Sequence, residues 1–282
     1  MIKSIGVAGA GTMGSSIALS AALSGLPVLL FDTSEPVLDK ARVAINANLA
    51  YLQEKGKITA TQKADVLKII KFTSDIDHCI GDLIIEAIVE RLDAKVNLFT
   101  RLNELNKRDT IFASNTSSLS ISEIQKDVSH PGRIAGMHFF NPAHIMKLVE
   151  VVKGDKTSDT TLQAIVQLCK QLKKIPVLCI DSPGFIVNRV ARPYYLEAMK
   201  IVESGMASFE DVDSIMEASG FKMGPFKLMD LIGMDINYAV STSLFEALDK
   251  PDRLRPSELQ ANKIEKGELG KKTGKGFYNY TR

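Results

Sequence analysis

The chain is short of cysteine, of long apolar runs and of net charge, and each shortage closes off a class of function. Its 282 residues include three cysteines, Cys79, Cys169 and Cys179, far apart and without CxxC spacing. An odd, scattered set suits reduced thiols in a reducing compartment rather than a disulfide framework. Each is expected to be a small core residue, not a nucleophile. No HExxH, paired-cysteine or clustered-acid pattern points to a metal centre. No stretch reaches the ~18–20 apolar residues of a membrane-spanning helix. A net charge of +2 creates no field that would attract nucleic acid or a membrane surface. Neither partner is therefore expected, and any bound anion must be met by local groups. The stretch MIKSIGVAGAG enters a strand pattern at once, with no basic leader before it, so the cytoplasm is the expected compartment.

What remains is an ordinary globular balance, 45% hydrophobic and 24% charged, enough for a sizeable core. Short apolar runs alternate with helical patterns along the first part, which argues for parallel strands joined by helices. SIGVAG (4–9) reads as a strand, TMGSSIALSAALSG (12–25) as the helix after it, and PVLLFD (27–32) as a second strand. Two helical patterns follow, about 35–55 and 61–71, where one crossover would suffice, so a projecting helical hairpin is expected over about 35–71. LIIEAI, TIFAS, RIAGMHF, KLVEVV and IPVLCI complete the strand candidates. The near-continuous apolar character of the first two suits strands buried on both faces. Beyond Asp181 the pattern is helical: SPGFIVNRVARPYYLEAMKIVESG reads as one long helix kinked at Pro193, with a domain boundary near 181–184 where DSPG supplies a turn. The expected fold is α/β: a Rossmann-type, mostly parallel sheet with a helical hairpin insertion over residues 1–182, then an all-α domain over 183–282.

Gly9, Gly11 and Gly14 form a GxGxxG string between the first strand and its helix. In that context the first glycine permits the tight turn and the second lets backbone approach a pyrophosphate. The third allows close helix–strand packing, and the helix N-terminus faces the phosphates. Asp32 lies 21 residues beyond Gly11, at the end of the second strand, where a carboxylate accepts hydrogen bonds from the adenosine ribose and repels a 2′-phosphate. NAD(H) is therefore favoured over NADP(H), although a carboxylate in that place also suits a helix N-cap. Further on, Asn115, Ser117, His138, Asn141 and Glu150 fall at the ends of consecutive strands or in the loops after them. Ligands of open α/β sheets gather beyond the carboxyl ends of strands, and a hydroxyl, an imidazole and a carboxylate there can handle a proton. Glu150 stands between Val149 and Val151, so its burial demands a catalytic or structural partner. Ser117 would equally serve as a helix cap. His78, His130 and His144 have no comparable context.

Taken in order, GAGTMG, EAIVE, SNTSSL, GMHFFNPAHIMKLVE, DSPGFIVNR, MGPFKLMDLIG and GKKTGKGFYNY resemble the L-3-hydroxyacyl-CoA dehydrogenases, most closely the bacterial 3-hydroxybutyryl-CoA group. The resemblance spans essentially the whole chain. It implies interconversion of (S)-3-hydroxybutyryl-CoA and acetoacetyl-CoA, an active site in the cleft between the two domains, and a homodimer formed through the C-terminal domain. His138 is implied as general base, Glu150 as the group that orients it, and Ser117 and Asn188 as ligands of the reacting oxygens. Thr12, Met13, Glu90, Lys95, Asn115, Ser117 and Asn141 join the three glycines and Asp32 as expected cofactor contacts. The CoA moiety is expected against the hairpin, which carries Lys40, Arg42, Lys55, Lys57 and Lys63, cations whose ordinary role is a solvated face. Two other readings stay open: a sugar-acid dehydrogenase of the L-gulonate type, and a non-catalytic relative of the crystallin type.

Overall fold

A computed structural model describes residues 2–280. The chain divides into two compact units between Ser182 and Pro183.

In the first unit the elements run β1 (Ile5–Ala8), α1 (Thr12–Leu23), β2 (Val28–Phe31), α2 (Glu35–Glu54), α3 (Ala60–Ile69), β3 (Ile70–Thr73), β4 (Leu83–Glu86), α4 (Leu92–Leu105), β5 (Ile111–Ser114), α5 (Ile121–Lys126), β6 (Ile134–Phe139), β7 (Leu148–Lys153), α6 (Asp159–Gln171) and β8 (Ile175–Ile180). They build an eight-stranded sheet of order β3-β2-β1-β4-β5-β6-β7-β8. Every neighbouring pair is parallel except β6 and β7. The order reverses at β1, which lies between β2 and β4, and this places the loop after β1 at the topological switch point where such sheets bind ligands. β1 and β4 are buried along their whole length, as strands covered on both faces require. The core joins Ile5, Val7, Ile17, Leu19, Leu30, Ile85 and Val149 with Leu38 and Ile45 of the hairpin.

The hairpin forms as the periodicity predicts, but its second helix is shorter and a strand is added. Residues 70 and 71, read as the end of a helix, belong to β3, which pairs in register with β2 from Val28↔Ile70 to Phe31↔Thr73. The physical reason is the open edge of β2. Unpaired backbone there offers IKFT a ladder that outweighs continuation of a helix whose capping box, Thr59 with Gln62, sits at its other end. The helix after Gly11 ends at Leu23, two residues early.

The second unit holds α7 (Val187–Glu203), α8 (Phe209–Ala218), α9 (Pro225–Ile232), α10 (Met234–Ala247) and α11 (Glu258–Glu265), around Leu196, Met199, Phe226, Met229 and Met234. Its long helix starts at Val187 rather than at Ser182, because Gly184 and Phe185 take positive φ angles of 73° and 48°. It then runs through Pro193. Two buried aspartates organise this unit. Asp213 accepts from the Phe226 and Lys227 amides at 2.8 and 3.0 Å, placing an anion at the N-terminus of α9. Asp230 accepts from the Phe277 and Tyr278 amides, both at 2.9 Å, and so binds down the GKGFYNY stretch. A side chain at Gly276 would collide with Asp230, since an added Cβ would lie 2.0 Å from its Oδ1.

The glycine string is equally constrained in the first unit. Gly9 has φ +101°, and a Cβ on Gly14 would come to 1.7 Å of the Gly9 carbonyl oxygen. That contact is with backbone and cannot be relieved by a rotamer change. Gly14→Ala is therefore expected to lower stability by at least about 1–3 kcal/mol and to weaken NADH binding, measured by thermal unfolding with and without NADH. A variant that melts with the native protein and is equally stabilised by NADH would contradict this packing.

Candidate active site

The loop between β1 and α1 shows what a dinucleotide requires. An added Cβ at Gly11 would meet nothing within 4 Å, so this backbone is open to an approaching group. Gly11 is the N-cap of α1, with no side-chain cap and no acidic residue in the first turn. The first amides of the helix are thus left for an anion. Asp32 stands at the end of β2. One of its oxygens accepts from the Ala10 amide at 2.8 Å and the other from the Ser34 amide at 3.0 Å, so the carboxylate ties the glycine loop to β2. Each oxygen retains acceptor capacity for a ribose hydroxyl. The residues fit a nicotinamide dinucleotide. Thr12 is exposed and Met13 half-buried at the start of α1.

A second cluster lies at the ends of β4 and β5 and in the loop that follows β5. Lys95 of α4 and Glu86 of β4 are both essentially out of water and touch at 2.5 Å. Lys95 also reaches Glu90 at 3.1 Å. Glu86 further accepts from the Ile88 amide at 2.7 Å and from Ser114 Oγ at 2.6 Å. Glu90 in turn collects the loop that carries Ser117: one oxygen accepts from Thr116 Oγ1 at 2.6 Å, the Ser117 amide at 2.9 Å and the Ser118 amide at 3.1 Å. Burial alone would raise the Glu90 pKa, but Lys95 and these hydrogen bonds outweigh it and hold it below the usual carboxylate value. Ser117 is not the cap of the next helix; Ser120 is, accepting from the Glu123 amide.

The third cluster is the imidazole. β7 runs antiparallel to β6, with His138 directly opposite Glu150, and facing side chains in such a pair are in contact. His138 Nδ1 lies 2.7 Å from Glu150 Oε2, with the two residues 6% and 1% exposed. An ionised carboxylate can only accept, so with Glu150 in that form the bond needs Nδ1–H as its donor. Glu150 sits inside β7, as its apolar flanks suggested, and the antiparallel register sets it against His138. Asn115 connects the clusters: its Oδ1 accepts from the Phe139 amide at 2.9 Å and its own amide donates to Glu86 O. Asn141 is exposed and precedes a cis Pro142. Asn188 belongs to the other unit, as the second residue of α7.

The same chemistry removes other candidates. Burial pushes the Cys79 and Cys169 thiols up to about 12 and Cys179 to about 11, so none is a ready nucleophile. No group of three or more metal-ligating side chains occurs among the described residues, and no described helix is long and apolar enough to cross a membrane.

Residues 4–182 match the 3-hydroxyacyl-CoA dehydrogenase NAD binding domain, and residues 184–280 match the C-terminal domain of the same enzymes. The chain belongs to the 3-hydroxyacyl-CoA dehydrogenase family. It is thereby an oxidoreductase of the NAD(H)-binding class. It is 41% identical to a 3-hydroxybutyryl-CoA dehydrogenase of Clostridioides difficile, with 99% of each chain covered. It is 44% identical to the 3-hydroxyadipyl-CoA dehydrogenase of Escherichia coli over 99% of its own length, but spans only 59% of that protein. The crystal structure of an (S)-3-hydroxybutyryl-CoA dehydrogenase from Ralstonia eutropha superimposes with a TM-score of 0.94 at 38% identity, both chains fully covered.

Glu86 was not singled out from the sequence, although it is the most buried acid of the cluster at the ends of β4 and β5. The signal was present: a lone carboxylate in the apolar run LIIEAI must find a partner, by the reasoning already applied to Glu150. Removing the cation that partners it should be costly. Lys95→Met is expected to destabilise the enzyme by about 3–5 kcal/mol, read from urea unfolding. A loss below about 1 kcal/mol, the range of exposed pairs, would mean that Glu86 does not depend on this ammonium.

Proposed function

We propose that this enzyme interconverts (S)-3-hydroxybutyryl-CoA and acetoacetyl-CoA, with His138 as general base in one direction and general acid in the other. The observation that carries the reading is the His138–Glu150 pair, buried and 2.7 Å apart, in the domain that also presents the uncapped helix behind Gly11. NAD(H), when bound, supplies the hydride acceptor or donor. His138 Nε2 takes the 3-hydroxyl proton as the alcohol is oxidised. Glu150, fixed across the strand pair, keeps the ring in that tautomer and stabilises the imidazolium that forms.

Ser117 and Asn188 are assigned to the reacting oxygens. Gly9, Gly11, Thr12, Met13, Gly14 and Asp32 are assigned to the adenosine and diphosphate of NAD(H), and Glu90, Lys95, Asn115 and Asn141 to its nicotinamide half, with Ser117 serving both groups. Glu90 supports the Ser117 assignment because it holds the amides on either side of that hydroxyl. On the hairpin, Arg42 is engaged with Asp39 and stacks over Phe72 at 4.7 Å. Lys40, Lys55 and Lys57 are exposed without an ion pair among the described residues, which leaves them as the stronger candidates for the CoA phosphates. We place residues 1–182 and 183–282 as cofactor and dimerisation domains of a cytoplasmic homodimer serving butyrate or fatty-acid metabolism.

The deciding assay is NADH oxidation with acetoacetyl-CoA, run beside free acetoacetate and L-gulonate. Turnover restricted to the thioester is expected; turnover of the sugar acid alone, or of nothing, would replace this reading. His138→Gln should lower kcat by about 10²–10⁴ with NADH affinity little changed, and survival of activity within about tenfold would remove His138 as the base. Asp32→Ala should weaken NADH and narrow its advantage over NADPH, because the carboxylate that disfavours a 2′-phosphate is gone. An unchanged cofactor ratio in steady-state kinetics would take Asp32 out of the ribose site.

A further inference from the structure

The loop between β6 and β7 is fastened to the dinucleotide helix by two side chains that no step above uses. Ser16 is buried on α1, one helical turn beyond Thr12. Its Oγ accepts from the His144 amide at 3.3 Å and lies 2.9 Å from Nδ1 of the same residue. It has no other partner among the described residues. A hydroxyl carries one proton, and a ring that donated through Nδ1 would leave that proton buried without an acceptor. The arrangement that satisfies both groups has Ser16 donating to a neutral imidazole.

The loop is held from elsewhere in the same unit as well. Lys174, buried just after α6, donates to the Ala143 and Met146 carbonyls at 2.5 and 2.8 Å. The Pro142 carbonyl accepts from the Ile145 and Met146 amides at 3.0 and 2.9 Å. Residues 142–146 thus form a closed turn, and the Ser16–His144 pair is its side-chain hydrogen bond to α1. Asn141, which immediately precedes this turn, is assigned above to the nicotinamide half of the cofactor. Gly11, at the start of α1, is assigned to the diphosphate.

Protonation would undo this link, because a charged imidazole has no lone pair at Nδ1 to offer. Burial, and then the Lys174 ammonium, hold the His144 pKa below the ordinary imidazole value. α1 carries no ionisable side chain, and Lys147 in the loop itself is exposed. The Cys169 thiol of α6, which acts on Lys174, is pushed up to about 12 by burial and stays neutral.

We propose that Ser16 and His144 are positioning residues of the NAD(H) site: their hydrogen bond holds the loop of Asn141 against α1, and NADH binds at full strength only while that bond is made. The proposal rests on the assignment of Asn141 to the nicotinamide half, and not on the identity of the acyl substrate.

The test is calorimetric titration of NADH into the native enzyme, Ser16→Ala and His144→Asn, each at about pH 8 and pH 5. A histidine whose pKa is depressed in the folded protein is neutral above the ordinary value of 6.5 and becomes charged as the pH falls through the lower one. The native Kd is therefore expected to rise about two- to tenfold toward pH 5, the effect of one lost hydrogen bond. Ser16→Ala should show a weakening of that size already at pH 8. His144→Asn offers an acceptor oxygen in place of Nδ1 but takes up no proton there, so it should bind as the native enzyme does at pH 8 and lose less at pH 5. His138 is present in all three proteins, so its own titration cancels in the comparison. A merely structural pair would lower Tm in the variants and leave the Kd and its pH dependence native. Native affinity in Ser16→Ala at pH 8, or the full native pH dependence in His144→Asn, overturns the proposal. Should Ser16→Ala fail to fold, His144→Asn decides alone. Inertness toward acetoacetyl-CoA in an enzyme that binds NADH in the expected manner would overturn the acyl-CoA reading and leave this one standing.

Discussion

The contact between Lys95 and Glu86 is the interaction on which the ends of β4 and β5 and the loop after them depend. Both charges are out of water, and each would be prohibitive without the other. Their pairing fixes more than a salt bridge. Glu86 ends β4 and holds Ser114 at the end of β5, while Lys95 passes to Glu90, and Glu90 gathers the amides and hydroxyls of residues 116–118. One ammonium thereby sets the conformation of the loop on which Ser117 stands.

The same rule, that a buried charge requires a partner, orders the rest of the molecule. Glu150 finds His138 across the strand pair. Asp213 and Asp230 find backbone amides, and the C-terminal segment folds onto them. Arg192 likewise finds neutral partners, the Asn237 carbonyl and side-chain oxygens and Ser241 Oγ.

Much of the site was legible along the chain because its parts are local. The glycine string, Asp32 and the helix behind Gly11 fall within one β-α-β unit, so their spacing can be read along the chain. Glu150 was legible as a buried acid from its valine neighbours. Glu86 was equally exposed to that argument and escaped it because the run around it reads as a strand alone. Strand β3 was not legible: Ile70 and Lys71 continue a helical pattern, and only the free edge of β2 turns them into a ladder. The direction of β7 was also hidden, since KLVEVV has the same composition whichever way it enters a sheet.

The sequence by itself determined the alternation of strands and helices, the dinucleotide loop and the identity of the polar residues available for chemistry. These follow from periodicity, from glycine's lack of a side chain and from the cost of burying a charge, all properties of short stretches. The tertiary structure alone decided which of those residues meet. The antiparallel register of β6 and β7 brings His138 to Glu150 across twelve residues of chain, and the fold of the helical unit brings Arg192 to Asn237 across forty-five. Such contacts depend on how elements pair in space, and no local pattern encodes the far partner of a buried charge.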